Sequence, residues 1–301
     1  LTTSILSACF SYIGMWKIYR LFNEIYPESY KYFAFSILFI PSLCFWGSGI
    51  MKDSFVLGST CWITYNFYMI LIKRKKVILN ILLFSMNLIL IINIKSYIII
   101  SLIPGMLIWL NSQYIKSIKN LALKLILFPV IFSIIVLIGF YSLSNLSSLM
   151  GVYGDMDTAI QQAQVIQGDL LREDQYGSNS YNIGELDGTL GGLISVAPIA
   201  IFTALFRPLF WEIGSPTMAF SVIENTILLL LTFYLLFKIN PFTLIKFLLD
   251  DPFLLYCFIF SILFAFGVGI AGTNFGALVR YKIPLVPFFF SSLYVIYRKV
   301  L

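Results

Sequence analysis

The sequence predicts an all-α, polytopic membrane protein, and three observations carry that expectation. Of its 301 residues, 59% are hydrophobic and only 11% charged, against about 25% charged in soluble domains. Apolar runs of spanning length recur along the chain, at about 17–25 residues each. The basic residues sit in short clusters between those runs, which is the pattern of the positive-inside rule. The net charge of +6 therefore reads as orientation and not as a nucleic-acid footprint. An aromatic share of 17% suits rings anchored at two membrane interfaces.

Taken in order, residues 4–22 form the first apolar run, interrupted late by Lys17 and Arg20. The second, 31–47, contains Pro41, which membrane helices tolerate. Gly47-Ser48-Gly49 and Met51-Lys52-Asp53 follow, then a third run over 54–72. Lys73-Arg74-Lys75-Lys76 is the densest basic cluster and fixes the cytoplasmic side. Alternation then puts the start of the N-terminal segment outside, Lys17, Arg20 and Lys31 inside, and Lys52 and Asp53 outside. Residues 77–110 would make a helix of about 51 Å at 1.5 Å per residue, against a hydrocarbon core of about 30 Å. They are expected to fold as a hairpin, 77–94 and 97–111, turning at Lys95-Ser96 on the outer face. Residues 122–143 cross outward again.

Residues 144–188 are the one long polar segment, an extracytoplasmic loop within a single membrane domain spanning 1–301. It carries the acids Asp155, Asp157, Asp169, Glu173, Asp174, Glu185 and Asp187 and one base, Arg172. Met156, Ile160, Ala163, Ile166 and Leu170 recur at helical spacing, which predicts an amphipathic helix over about 156–172 on the outer surface. The run 189–206, with two glycines and Pro198, is read as re-entrant or interfacial. That reading keeps Lys238, Lys246, Arg298 and Lys299 cytoplasmic. Runs 218–237, 252–270 and 283–297 complete a set of about nine crossings plus one re-entrant segment, with a cytoplasmic C-terminus. The chain begins at Leu1 inside an apolar run, as expected of an N-terminally truncated protein.

The sequence has no histidine, which excludes His-based triads and zinc sites. Cys9, Cys44, Cys61 and Cys257 show no paired spacing and read as small apolar residues. The topology instead gathers Lys52, Asp53, Lys95, the acidic loop, Arg207, Glu212, Arg280 and Lys282 at the outer face. Arg280 and Lys282, in TNFGALVRYKIPLVP (273–287), suit a phosphate clamp, because arginine offers a planar bidentate fork. Snorkelling to headgroups is the bland alternative. Arg207 heads RPLFWE and has three readings: a second phosphate ligand, an interfacial anchor, or the partner of Glu212. Lys95 at the hairpin tip, with Lys52, is a further candidate cation for the same anion, a solvated or headgroup-facing tip lysine being the bland alternative. Asp53 is a candidate base or helix-start acid. Glu224 inside an apolar helix is a candidate base or half of a structural ion pair. Glu185 and Asp187 are catalytic candidates only through the loop that overhangs the site. Asp155-Met156-Asp157 has the form of a D-x-D metal motif, and an N-cap explains it equally well. No cofactor is indicated and no metal ligands are assigned; a divalent metal is left open.

Three stretches, PSLCFWGSGIMKDS (41–54), LFRPLFWE (205–212) and NFGALVRYKIPLVP (274–287), resemble bacterial O-antigen or capsule repeat-unit polymerases and related multi-pass glycosyltransferases that use polyprenyl-phosphate sugars. The resemblance implies glycosyl transfer between polyprenyl-linked glycans at the outer face of a bacterial inner membrane. It also implies work alongside other polysaccharide-assembly membrane proteins. By position it implies an outer-face arginine on the lipid-linked pyrophosphate, Arg280 and with it Arg207. It leaves the catalytic base open among the acids above. A transporter or flippase for a lipid-linked or anionic solute, which would show paired halves and broken helices, and a non-catalytic membrane scaffold are the alternatives.

Overall fold

The structure is a computed structural model that describes residues 2–111, 123, 156–170, 172, 180–181, 183–184, 189–214 and 216–300. Among them the fold is all-α. No strand occurs there, and a lone antiparallel bridge joins Ser180 to Asn274. The expected crossing 122–143, apart from Leu123, and the acids Asp155, Glu173, Asp174, Glu185 and Asp187 lie outside the described residues.

The chain opens with α1 (Thr2–Ile25). A short helix α2 (Tyr30–Phe33) runs into a π-turn and stops at Phe39. Pro41 then starts α3 (Pro41–Gly47), since a proline costs nothing in a first turn whose N–H groups lack helical partners. α4 (Lys52–Phe67) is prolonged by a π-turn to Ile72. α5 (Val77–Lys95) and α6 (Tyr97–Leu110) form the expected hairpin, turning at Ser96. The amphipathic helix appears as α7 (Met156–Leu170), and α8 spans Leu190–Phe206. Prolines open the next three helices: α9 (Pro216–Lys238), α10 (Pro241–Asp250) and α11 (Pro252–Ala271). Asn240 and Asp251 cap the last two through bonds to Phe242 N (2.9 Å) and Leu254 N (3.2 Å). α12 (Phe275–Tyr281) and α13 (Val286–Val300) close the described chain.

Among the described residues four helical segments are long and apolar enough to cross a membrane: Lys52–Ile72, Val77–Lys95, Met218–Lys238 and Pro252–Ala271. A fifth exists if α12 and α13, bent by 71° to each other, act as one span. This is fewer than the nine crossings expected; one of those, 122–143, lies outside the described residues apart from Leu123, and the rest of the shortfall has local causes. α1 is long, but Lys17, Arg20 and Glu24 dilute it. The 31–47 run breaks ahead of Pro41 into short pieces. α6 has 14 residues and α8 has 17, below the about 20 that a 30 Å core needs. Length and composition are those of a membrane protein all the same. α10, with Phe242 and Ile245 exposed and Leu248 and Leu249 buried, is a helix the sequence reading left unassigned.

α1 and α4 run parallel. Ser7 Oγ donates to the Gly49 carbonyl (2.9 Å) at one end, and Tyr68 Oη donates to Glu24 (2.8 Å) at the other. Between them Gly14 lies against Gly58, where an added Cβ would meet the Gly58 carbonyl oxygen at 2.5 Å. α11 is the centre of the core. It packs on α6, α8 and α13, and it buries Tyr256, Phe260 and Phe264 completely. Tyr256 Oη shares a 2.6 Å hydrogen bond with Thr64 Oγ1 of α4. α8 meets α11 backbone to backbone, for a Cβ on Gly269 would lie 2.0 Å from the Ala200 carbonyl oxygen. The chain also enters and leaves this region at one end, since Arg207 after α8 stacks on Tyr181 before it, 4.7 Å from the ring centroid.

Charged side chains collect at two ends of the bundle. At one end Lys73 pairs with Glu24, Arg298 with Glu28 (3.5 Å) and Lys299 with Asp251 (2.9 Å). At the other stand Asp53, Lys95, Arg207, Glu212 and the α12 turn.

Gly269→Val should destabilise the protein by about 3 kcal/mol, the upper end of the overpacking range. Gly168→Ala in α7, with no atom within 4 Å of the new methyl, should leave the fold equally or slightly more stable. Thermal unfolding of the detergent-solubilised variants reads both. Equal melting temperatures for Gly269→Val and wild type would mean α8 does not touch α11 as described.

Candidate functional site

The α12 turn sits where four elements meet, α3, α9, α11 and the segment after α8, and its placement begins with Asn274. The Asn274 side chain accepts from Gly276 N (2.9 Å) and Ala277 N (3.3 Å), which sets the first turn of α12. Tyr181 N donates to the Thr273 carbonyl (2.7 Å) and Tyr181 Oη to the Gly272 carbonyl. Burial raises the pKa of the Tyr181 hydroxyl above its ordinary value and so keeps it a donor. Thr273 Oγ1 donates to the Gln167 carbonyl (3.1 Å), which brings in α7. The loop and its amphipathic helix are thus fastened to the base of α12.

Arg280, in the last turn of α12, is half-buried and lies between two aromatic rings. Its guanidinium carbon is 5.8 Å from the Trp46 ring centroid and 5.8 Å from that of Tyr281. Among the described residues no carboxylate pairs with it. Tyr281 also receives Lys95, whose Nζ lies 3.9 Å from the ring centroid. Lys95 Nζ donates to Asp53 Oδ1 at 2.6 Å, with both side chains largely buried. Lys52 is exposed at the start of α4. Lys52, Lys95 and Arg280 are thus three cations at this end, and Asp53 is paired with Lys95. Arg280 contacts the Tyr281 side chain and has no carboxylate partner among the described residues.

The other expected ligands are brought to the same end but engaged differently. Arg207 is bound by Glu212, with Nε 2.9 and 3.2 Å from the two carboxylate oxygens and Nη2 also bonded. The same carboxylate accepts from Leu209 N (2.7 Å). The Arg207 guanidinium lies 4.7 and 5.0 Å from the Tyr181 and Phe275 ring centroids, against one side of two rings that are themselves in contact at 4.7 Å. Lys282 is 4% exposed. Its ammonium donates to the Arg207 carbonyl (3.0 Å) and to Asn225 Oδ1 (2.7 Å), while Asn225 Nδ2 reaches the Pro208 carbonyl (3.3 Å). Lys282 therefore ties the cis Arg207-Pro208 loop to α9 and is not aligned with Arg280 as a two-residue clamp.

Glu224 Oε1 accepts from Ser42 N (2.7 Å) at the first turn of α3. The carboxylate of one helix thereby satisfies an orphan N–H at the start of another. Between α3 and α9 lies a cleft of about 430 Å³ lined by Pro41, Ser42, Cys44, Phe45, Trp46, Phe220 and Ser221. Its wall is almost wholly apolar. Glu185 and Asp187 lie outside the described residues. Among the described residues no three acids or cysteines gather as a metal site.

Tyr181, Asn225, Trp46 and Tyr281 build this site and were not singled out in sequence. Asn225 had a signal, a second polar residue beside Glu224 in an apolar run. Tyr181 had none, because its role depends on a contact across the fold. No family model, curated protein or solved structure matches this chain.

Asp53→Leu should cost about 3–5 kcal/mol, because it strands the Lys95 ammonium. Asp53→Leu with Lys95→Met should recover most of that loss. A double-mutant cycle from thermal unfolding measures the coupling; purely additive effects would mean the pair does not form.

Proposed function

We propose that the protein is a membrane glycosyltransferase of the polymerase type, acting on polyprenyl-linked sugars in cell-surface polysaccharide synthesis. The observation that carries this reading is Arg280: a half-buried guanidinium at one end of the bundle, framed by Trp46 and Tyr281, without a carboxylate partner among the described residues. An arginine so placed costs free energy unless an anion completes it. The planar fork fits a phosphate bidentately.

In this reading the chain lies in a bacterial inner membrane with Lys73–Lys76 on the cytoplasmic side, and the Arg280 end faces outward. α8 is the returning arm of a re-entrant segment, supported by the meeting of Tyr181 and Arg207. Arg280 holds the pyrophosphate of a polyprenyl-linked donor, and Lys95 and Lys52 add positive potential. An acceptor sugar hydroxyl attacks the anomeric carbon of the donor. The new C–O bond forms as the bond to the pyrophosphate oxygen breaks, and the hydroxyl proton passes to a carboxylate. Asp53 is favoured for that proton because it is the acid joined to the Arg280 cluster through Lys95 and Tyr281. The leaving pyrophosphate gains charge as it departs, so the bond to Arg280 strengthens toward the transition state. Arg207, bound to Glu212, holds the rim and does not supply a second fork.

A glycan-length gel on cells carrying variants tests the assignment. Arg280→Ala should leave single-unit glycan, and Arg280→Lys should shorten the ladder markedly, because lysine lacks the fork. Asp53→Asn should lower polymer yield by about 10²-fold or more, the low end of general-base contributions. An unchanged ladder in Arg280→Ala sinks the assignment. Orientation is read separately by single cysteines at 52, 75, 207 and 298. Positions 52 and 207 should label from outside, and 75 and 298 from the cytoplasm.

A further inference from the structure

The cleft between α3 and α9 is not used by the chemistry above. It has three properties that belong together. It is apolar, it is open on the flank of the bundle, and one of its walls is Trp46, the ring that Arg280 stands against. α3, α9 and α12 are mutually packed, so the cleft and the guanidinium are parts of one assembly. The exposed residues beside it are also apolar: Phe45, Ile223 and Ile227 are 56%, 60% and 46% accessible, as suits a surface turned toward lipid. The cleft wall contributes no charge of its own, and Glu224 is engaged by the backbone N–H of the lining residue Ser42. An apolar trough walled by Trp46, with a cation at that ring that no carboxylate pairs with among the described residues, is complementary to one kind of molecule, a hydrocarbon chain ending in a phosphate.

We propose that this cleft seats the first isoprenyl units of a polyprenyl phosphate whose head is held by Arg280. The inference rests on the function proposed above and adds the place where the lipid carrier lies. The break between α2 and α3 supplies one wall of the trough: the backbone stops at Phe39 and Pro41 restarts it as α3, whose Pro41, Ser42, Cys44, Phe45 and Trp46 line the cleft. Glu224 holds the restarted helix at Ser42, so it is a positioning residue for the trough. Binding here orients the scissile phosphate relative to Arg280 by fixing the chain on one side. A polyprenyl chain, branched by a methyl at every unit, fills such a trough more completely than a straight acyl chain and gains more contact area.

The test uses the full chain in nanodiscs with a diazirine-tailed polyprenyl phosphate, the photoadducts being mapped by mass spectrometry. Adducts are expected on Phe45, Trp46 and Phe220. Excess unlabelled polyprenyl phosphate should remove them, and the same excess of phosphatidylglycerol should leave them. Cys44→Trp fills the trough from an exposed position and should reduce the adducts at least tenfold. Phe220→Ala, which widens it, should shift them without loss of the fold, as judged by an unchanged melting temperature. Adducts spread evenly over the exposed faces of α5 and α9 overturn the proposal, and so does equal competition by phosphatidylglycerol. These results are separable from the glycan ladder. A normal ladder with dispersed adducts removes the trough and keeps the transferase. Loss of the ladder in Arg280→Ala with dispersed adducts does the same.

Discussion

An ionised group taken out of water must be matched, and at the Arg280 end of this bundle that requirement organises nearly everything else. Asp53 and Lys95 are joined at 2.6 Å although α4 and α5 bring them from separate helices. Arg207 folds back on Glu212 five residues later. Lys282, almost fully buried, is met by a backbone carbonyl and an asparagine. Each of these would be strongly destabilising alone. Against that pattern Arg280 is the exception, a cation supported by rings and, among the described residues, not paired with a carboxylate.

The same requirement explains why the residues around Arg280 are aromatic. Trp46 and Tyr281 offer the guanidinium the negative faces of their π-systems, a partial match that holds its orientation. A carboxylate in their place would neutralise it and compete with any incoming anion. Tyr281 serves two cations at once, Lys95 and Arg280, so one ring joins the Asp53–Lys95 pair to the arginine. Asn274 and Tyr181 fix the other end of α12, and the arginine is carried on a helix secured at both its start and its finish.

Much of this was legible in the sequence where one physical rule dominated. Composition forced helices, and the length limit on a span forced the hairpin to turn at Lys95-Ser96. Helical spacing of Met156, Ile160, Ala163, Ile166 and Leu170 placed α7. The charge pattern sorted Lys52, Asp53, Lys95, Arg207 and Arg280 to one end, where the structure has them together. What it could not yield was pairing. Whether Arg207 faces Glu212 or a ligand, and whether Lys282 stands beside Arg280 or turns to Asn225, depends on side-chain directions that spacing does not encode. The broken 31–47 run illustrates a different limit. Proline in a membrane helix is compatible with a kink or with a full stop, and only the packing of α3 against α4 and α9 decides between them. Glu224 was read correctly as a costly group, but its partner, a backbone N–H exposed by that stop, could not be anticipated from side chains alone.

At the opposite end of the bundle Asp251 has three tasks. It caps α11 at Leu254, accepts from Tyr26 Oη (2.9 Å) and receives Lys299 (2.9 Å). The first is made within a turn of the chain, but the second closes a loop of 225 residues and the third waits for α13. A chain emerging from the ribosome can therefore form α11 at once yet cannot lock its first helix to it until most of the protein has been made. Contacts of such separation are slow to close and are the last to reward the entropy spent on them. During synthesis α1 must accordingly be held by α4, its parallel neighbour through Gly14 and Gly58, so the order of assembly runs from the N-terminal pair inward. The joint at Asp251 records that the two halves have found each other.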